Sequence, residues 1–187
     1  WEPQLAEDMR RETLAYFQHV ALDEEEPLSR LLNYPAAFAT ERLAKHYRFP
    51  NAAAGKVLNL SSEQSSAPNL RRYNYADSQR GGLLTQGSVL TSGGDNASMV
   101  TRGLFVLHDL LRGVVKDPPP CVNTTPVPTR PGLTQRLIAQ GRIESDACGG
   151  CHSRFEPLAF GLERFDGLGS YAEKDKHGNE LRDDGEI

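Results

Sequence analysis

Cysteine is scarce in this 187-residue chain, which holds three: Cys121, Cys148 and Cys151. No second Cys-X-X-Cys and no His-X-X-X-His accompanies the last two, so a structural zinc site, which takes about four ligands, is short of donors. Long apolar runs are also missing. At 38% hydrophobic residues, no stretch reaches the roughly 20 residues a membrane-spanning helix needs. There is no basic excess either. The 25 acidic and 21 basic residues leave a formal net charge of −4 and no long basic run, which removes the electrostatic case for nucleic acid and points to proteins or small molecules as partners. The two methionines are Met9 and Met99, so none follows Cys151. There is no internal repeat.

What is present is Cys148-Gly149-Gly150-Cys151-His152. This spacing is that of c-type haem attachment: two thiols separated by two residues each form a thioether with a haem vinyl group, and the following imidazole is offered to the iron. A dithiol redox motif is the competing reading, but it usually opens a helix directly after a buried strand. Here Glu144-Ser145-Asp146-Ala147 reads as a helix start following another helix. The expectation is one covalent haem c on Cys148 and Cys151, with His152 as proximal ligand. Such haem is attached outside the cytoplasm. With no signal peptide in the sequence, the chain is expected to be part of a longer exported polypeptide, periplasmic or at the cell surface.

The fold expected is mainly α, a helical c-type haem module with short β-hairpin elements. Residues 3–20 read as a helix burying Leu5, Met9, Tyr16, Phe17 and Val20. Pro35 suits the first turn of a second helix, in which Ala39, Leu43, His46 and Tyr47 form one face. Residues 55–60 and 71–75 suit short strands with an exposed loop, 61–68, between them. Ser98 is a fitting N-cap for a helix whose stripe is Val100, Leu104, Leu107, His108 and Leu111, with Gly113 at its end. The proline-rich 118–131 is the expected boundary, a stiff connector between a helical domain at 1–117 contributing to the haem pocket and a haem-binding domain at 132–187. In the second part, Leu133, Leu137, Ile138 and Gln140 suggest a helix. Leu158, Phe160, Leu162 and Phe165 offer an apolar wall for the haem. Residues 171–182 suggest a hairpin turning at His177-Gly178-Asn179.

Several of these runs together resemble a known family. Arg42-Leu43-Ala44-Lys45-His46-Tyr47, then Arg80-Gly81-Gly82-Leu83-Leu84-Thr85-Gln86-Gly87-Ser88-Val89-Leu90-Thr91, then Arg102-Gly103, the triple proline and Cys148 to His152 occur in order. They are followed by Glu156-Pro157-Leu158-Ala159-Phe160 and Glu163-Arg164-Phe165-Asp166-Gly167-Leu168-Gly169. The set is similar to the tandem domains of unknown function in large exported planctomycete-type cytochrome proteins. That resemblance implies an exported, mostly helical haem module joined to further domains. It implies no particular reaction. Met99 and His108 stand where members carry other residues, so neither inherits a family role.

The remaining ligand candidates divide as follows. His46 is either the distal iron ligand or a satisfied core histidine, and Met99 either a ligand or a packing residue. His108 reads as core, and His19 and His177 as solvent-side. Asp183, Asp184 and Glu186 read as a solvated acidic end, with calcium as the competing reading. As the odd cysteine, Cys121 is expected to be a free thiol or paired outside this chain. The function favoured is electron transfer through one haem to a redox partner protein or to other haem domains of the same polypeptide, since no distal acid/base pair accompanies His46. The alternatives are a peroxidase-like haem oxidoreductase with an open distal site and a structural haem module.

Overall fold

Pro3, with no amide hydrogen to lose, opens the first helix of the computed structural model, which describes residues 2–50, 52, 55–57, 69–75, 78–120 and 122–185. The chain divides into two compact units, 1–89 and 90–187. The proline-rich connector is therefore not where they divide. Residues 90–117, expected in the first domain, belong to the unit that carries the cysteine motif. The described residues of the connector form neither helix nor strand apart from the isolated bridge Arg130↔Leu133, and are largely exposed.

In the first unit, α1 (Pro3–Phe17) continues as a wider π-helical turn, Gln18–Asp23. Met9, Tyr16 and Val20 are buried as the periodicity predicts, but Phe17 is exposed and the polar Asp8 and Glu12 are buried in its stead. A short 3₁₀ turn (Leu28–Leu32) leads to β1 (Ala36–Ala39), which pairs antiparallel with β3 (Arg71–Asn74), whose other edge holds β2 (Lys56–Val57). The strand at 36–39 corrects the helix expected from Pro35. Ala37 sits opposite Tyr73 and Phe38 opposite Arg72, partners too distant in sequence for local periodicity to reveal. The helix begins later, as α2 (Glu41–His46), where the Thr40 hydroxyl accepts a hydrogen bond from the Leu43 amide at 3.2 Å. Of the expected strands, residues 58–60 lie outside the described residues, as does the 61–68 loop.

In the second unit, a single turn, α3 (Gly87–Leu90), crosses from the first unit and is followed by a 3₁₀ stretch, Thr91–Asn96. Ser98 then caps α4 (Met99–Phe105), accepting from the Thr101 amide at 3.2 Å, and α4 runs into a π-helical turn, Val106–Leu110. The buried face is Met99, Arg102, Gly103, Val106 and Leu107; His108 and Leu111 are exposed, which corrects the expected stripe. The left-handed residue ending the segment is Arg112 rather than Gly113. Thr134 caps α5 (Gln135–Ile143), α6 (Gly149–His152) follows, and a 3₁₀ helix spans Glu156–Leu162. Three residues per turn put Glu156, Ala159 and Leu162 above one another, and all three are buried. The expected hairpin is present as the bridge Lys174↔Glu180 around a turn in which Gly178 has φ +81°. The described residues are mainly α with one small antiparallel sheet. Among the described residues, no helix is long and apolar enough to cross a membrane.

Candidate functional site

Cys148 precedes α6 and Cys151 stands near its end, one turn later; the His152 amide donates to the Cys148 carbonyl at 3.1 Å. Both thiols are free, Cys148 half-buried and Cys151 exposed. The sharp turn into this helix depends on Gly149, because a Cβ there would lie 2.2 Å from the Ile143 carbonyl oxygen at the end of α5. Nothing lies within 4 Å of the corresponding position at Gly150. The first motif glycine is thus steric, and the second is not.

His152 is held by an anion. Its Nδ1 lies 3.1 Å from Oε2 of Glu156, four residues on, whose carboxylate is fully buried. Arg142 of α5 donates to the same carboxylate from Nε, at 3.1 Å to Oε1 and 3.2 Å to Oε2, and again from Nη2. An ionised carboxylate only accepts hydrogen bonds, so Nδ1 carries the imidazole proton and Nε2 keeps its lone pair for a metal. This is the arrangement that fixes the tautomer and direction of metal-binding histidines. The residues present therefore suit a haem iron: two free thiols on one helical turn, then an imidazole with the correct nitrogen bare.

The segment that follows is closely packed. Phe160 packs with Met99, Ala139, Ala159 and Ile143, and the Arg136 guanidinium lies 4.6 Å from its ring centre. Leu162 is buried, Phe165 is buried against Tyr171 with ring centres 5.5 Å apart, and Leu158 alone of the four expected wall residues is half-buried. Arg102 fixes the segment from within, donating to the carbonyls of Leu90 (2.9 Å), Leu162 (3.1 Å), Phe165 (2.8 Å) and Asp166 (2.7 Å). Desolvation pulls its pKa down to about 10, still charged at neutral pH. Its neighbour Gly103 admits the Phe155 carbonyl; a Cβ would meet that oxygen at 2.2 Å.

The other candidates fall elsewhere. Met99 is buried within the second unit's apolar cluster. His46 is in the first unit, half-buried, its ring 5.8 Å from that of Tyr47. The core-directed residues of Arg42-Leu43-Ala44-Lys45-His46-Tyr47 are Leu43, Ala44 and Tyr47, and Tyr47 carries the polar contacts. Its hydroxyl donates to Glu12 Oε2 at 2.6 Å and accepts from the Gly87 amide at 2.7 Å, and the Arg80 guanidinium lies 3.6 Å from its ring centre. Arg42 pairs with buried Asp8 at 2.7 Å. The two sequence signatures of the first unit meet at this buried polar cluster. His19, expected on the solvent side, is half-buried, with Nε2 3.0 Å from the Tyr34 hydroxyl, and His177 is half-buried as well. Asp183 and Asp184 pair with Arg164, Arg136 and Arg182, which uses their charge without calcium. Glu186 and Cys121 lie outside the described residues. No group of three or more His, Cys, Asp or Glu able to hold a metal ion occurs among the described residues.

Glu156 and Arg142 were not singled out by motif spacing, although His152 and Glu156 stand at the i,i+4 separation that brings side chains together on a helix. Compared with known families, residues 80–175, just over half of the chain, match PSCyt3, a protein of unknown function (DUF1588), and residues 1–49 match PSD4, a protein of unknown function (DUF1592). No curated protein and no solved structure matches the chain.

Proposed function

The chain belongs to the PSCyt3 family of unknown function (DUF1588), with a PSD4 (DUF1592) segment before it, and from that premise we propose that it is an exported c-type cytochrome module that transfers electrons. Cys148 and Cys151 would hold one haem c through thioethers, and His152 would supply the proximal nitrogen. Haem bound there supplies a one-electron ferric/ferrous couple. The observation that carries the reading is His152 itself, placed directly after two free thiols on one helical turn and held by Glu156 with Nε2 available.

Packing around the segment after the motif supports this reading. Arg102 ties down the carbonyls of Leu162, Phe165 and Asp166, and Phe160 and Phe165 are buried in the core. A closely packed site suits electron exchange, which needs little rearrangement between oxidation states. A half-buried Leu158 and an exposed Cys151 leave one side of the motif accessible, as exchange with a partner protein or a further haem domain requires.

Production in a host with a c-type haem-attachment apparatus tests this. The expected product is coloured, exchanges electrons rapidly with small redox mediators and turns over peroxide only slowly. The variant carrying both Cys148→Ser and Cys151→Ser should lose covalent colour. Colourless wild-type protein overturns the haem reading, and fast peroxide turnover replaces electron transfer with the oxidoreductase reading.

A further inference from the structure

We infer that Glu156 is a positioning residue that sets the redox balance of this site by holding the Nδ1 proton of His152, with Arg142 keeping the carboxylate charged and in place; the inference rests on the haem reading of the same site. Three observations converge on it. Glu156 has no exposed surface, so its carboxylate is unavailable to water and its interactions are confined to protein groups. Those groups are Arg142, through Nε and Nη2, and His152, through Nδ1. Arg142 lies on α5 and His152 on α6, so the carboxylate joins the two helices at the point where Gly149 permits their close approach.

A buried carboxylate is costly unless paired, and one counter-charge from Arg142 offsets that cost. The remaining acceptor capacity is directed at the imidazole. A hydrogen bond from Nδ1 to an anion raises the electron-donating power of Nε2, more so than a bond to a neutral carbonyl. A stronger donor stabilises ferric over ferrous iron. Glu156 therefore biases the couple toward the oxidised form.

The test is the midpoint potential of the haem-loaded protein, wild type against Glu156→Gln and against the double variant Glu156→Gln/Arg142→Gln. Glutamine keeps an oxygen for Nδ1–H but removes the charge. The double variant conserves net charge, so through-space effects of the lost pair cancel and the remaining shift reports the imidazole. It also avoids leaving the half-buried Arg142 without its carboxylate partner, so it serves if the single variant fails to fold. Both should favour the ferrous form by about tenfold, ~59 mV upward for a one-electron couple, with covalent haem retained. An unchanged potential in the double variant with haem attached overturns the role of Glu156 and leaves the haem reading standing. Wild-type protein without haem overturns both.

Discussion

The Tyr47 hydroxyl donates to Oε2 of Glu12 across 2.6 Å inside the first unit, and the same oxygen of Tyr47 accepts from the Gly87 amide. Glu12 is wholly buried. Its desolvation outweighs the Tyr47 bond and the Arg80 charge, and pushes its pKa up to about 7 from an ordinary value near 4.5.

That shift has a sign in stability. Below about pH 4.5 Glu12 is neutral folded or unfolded, and its favourable contribution is complete. Between about 4.5 and 7 the unfolded chain loses a proton that the folded unit keeps, so stability falls as pH rises. The loss should total about 3 kcal/mol by pH 8. Denaturant unfolding at pH 5 and pH 8 should show this decline in the wild type and a clearly smaller one in Glu12→Gln. Equal slopes would remove Glu12 as its source.

Gly149→Ala should lower stability by about 2 kcal/mol or more and reduce covalent haem loading, because its Cβ would collide with the Ile143 carbonyl; Gly150→Ala, with nothing within 4 Å, should do neither. Thermal unfolding and the ratio of haem absorbance to protein check both. Equal behaviour of the two variants would contradict the helix placement at the motif.

Much of the architecture is legible in the sequence; what is not depends on partners distant in the chain or on a departure from the regular α-helical repeat. Caps that act within four residues were readable: Ser98 to Thr101 is an example. So was the hairpin turn at Gly178. The strand at 36–39 was not, because its partner Arg71–Asn74 is more than thirty residues away and Ala-Ala-Phe-Ala has no alternation to show. The π-helical turn after α4 rotates the buried face away from the simple 3.6-residue stripe, which is why His108 reads as core and is exposed. At the site, the motif shows Cys148, Cys151 and His152 directly. The buried acceptor behind His152 is not legible in the motif, since Glu156 closes its charge with Arg142, fourteen residues upstream on another helix.

Met99→Ala should leave the haem spectrum unchanged and cost about 2–5 kcal/mol of stability, because Met99 is buried in the apolar cluster with Phe160. Absorption spectra of the oxidised and reduced forms check the first outcome, and denaturant midpoints the second. A spectrum altered by the Met99 change would make Met99 an iron ligand.

The central claim is tested most directly by the intact mass of the chain after denaturation and extraction with acidified organic solvent. The account predicts a polypeptide heavier by one haem, attached to the fragment that contains Cys148 and Cys151, with the iron retained. Haem lost entirely to the solvent, stoichiometric zinc in its place, or a disulfide between those two cysteines in the purified exported protein would contradict it.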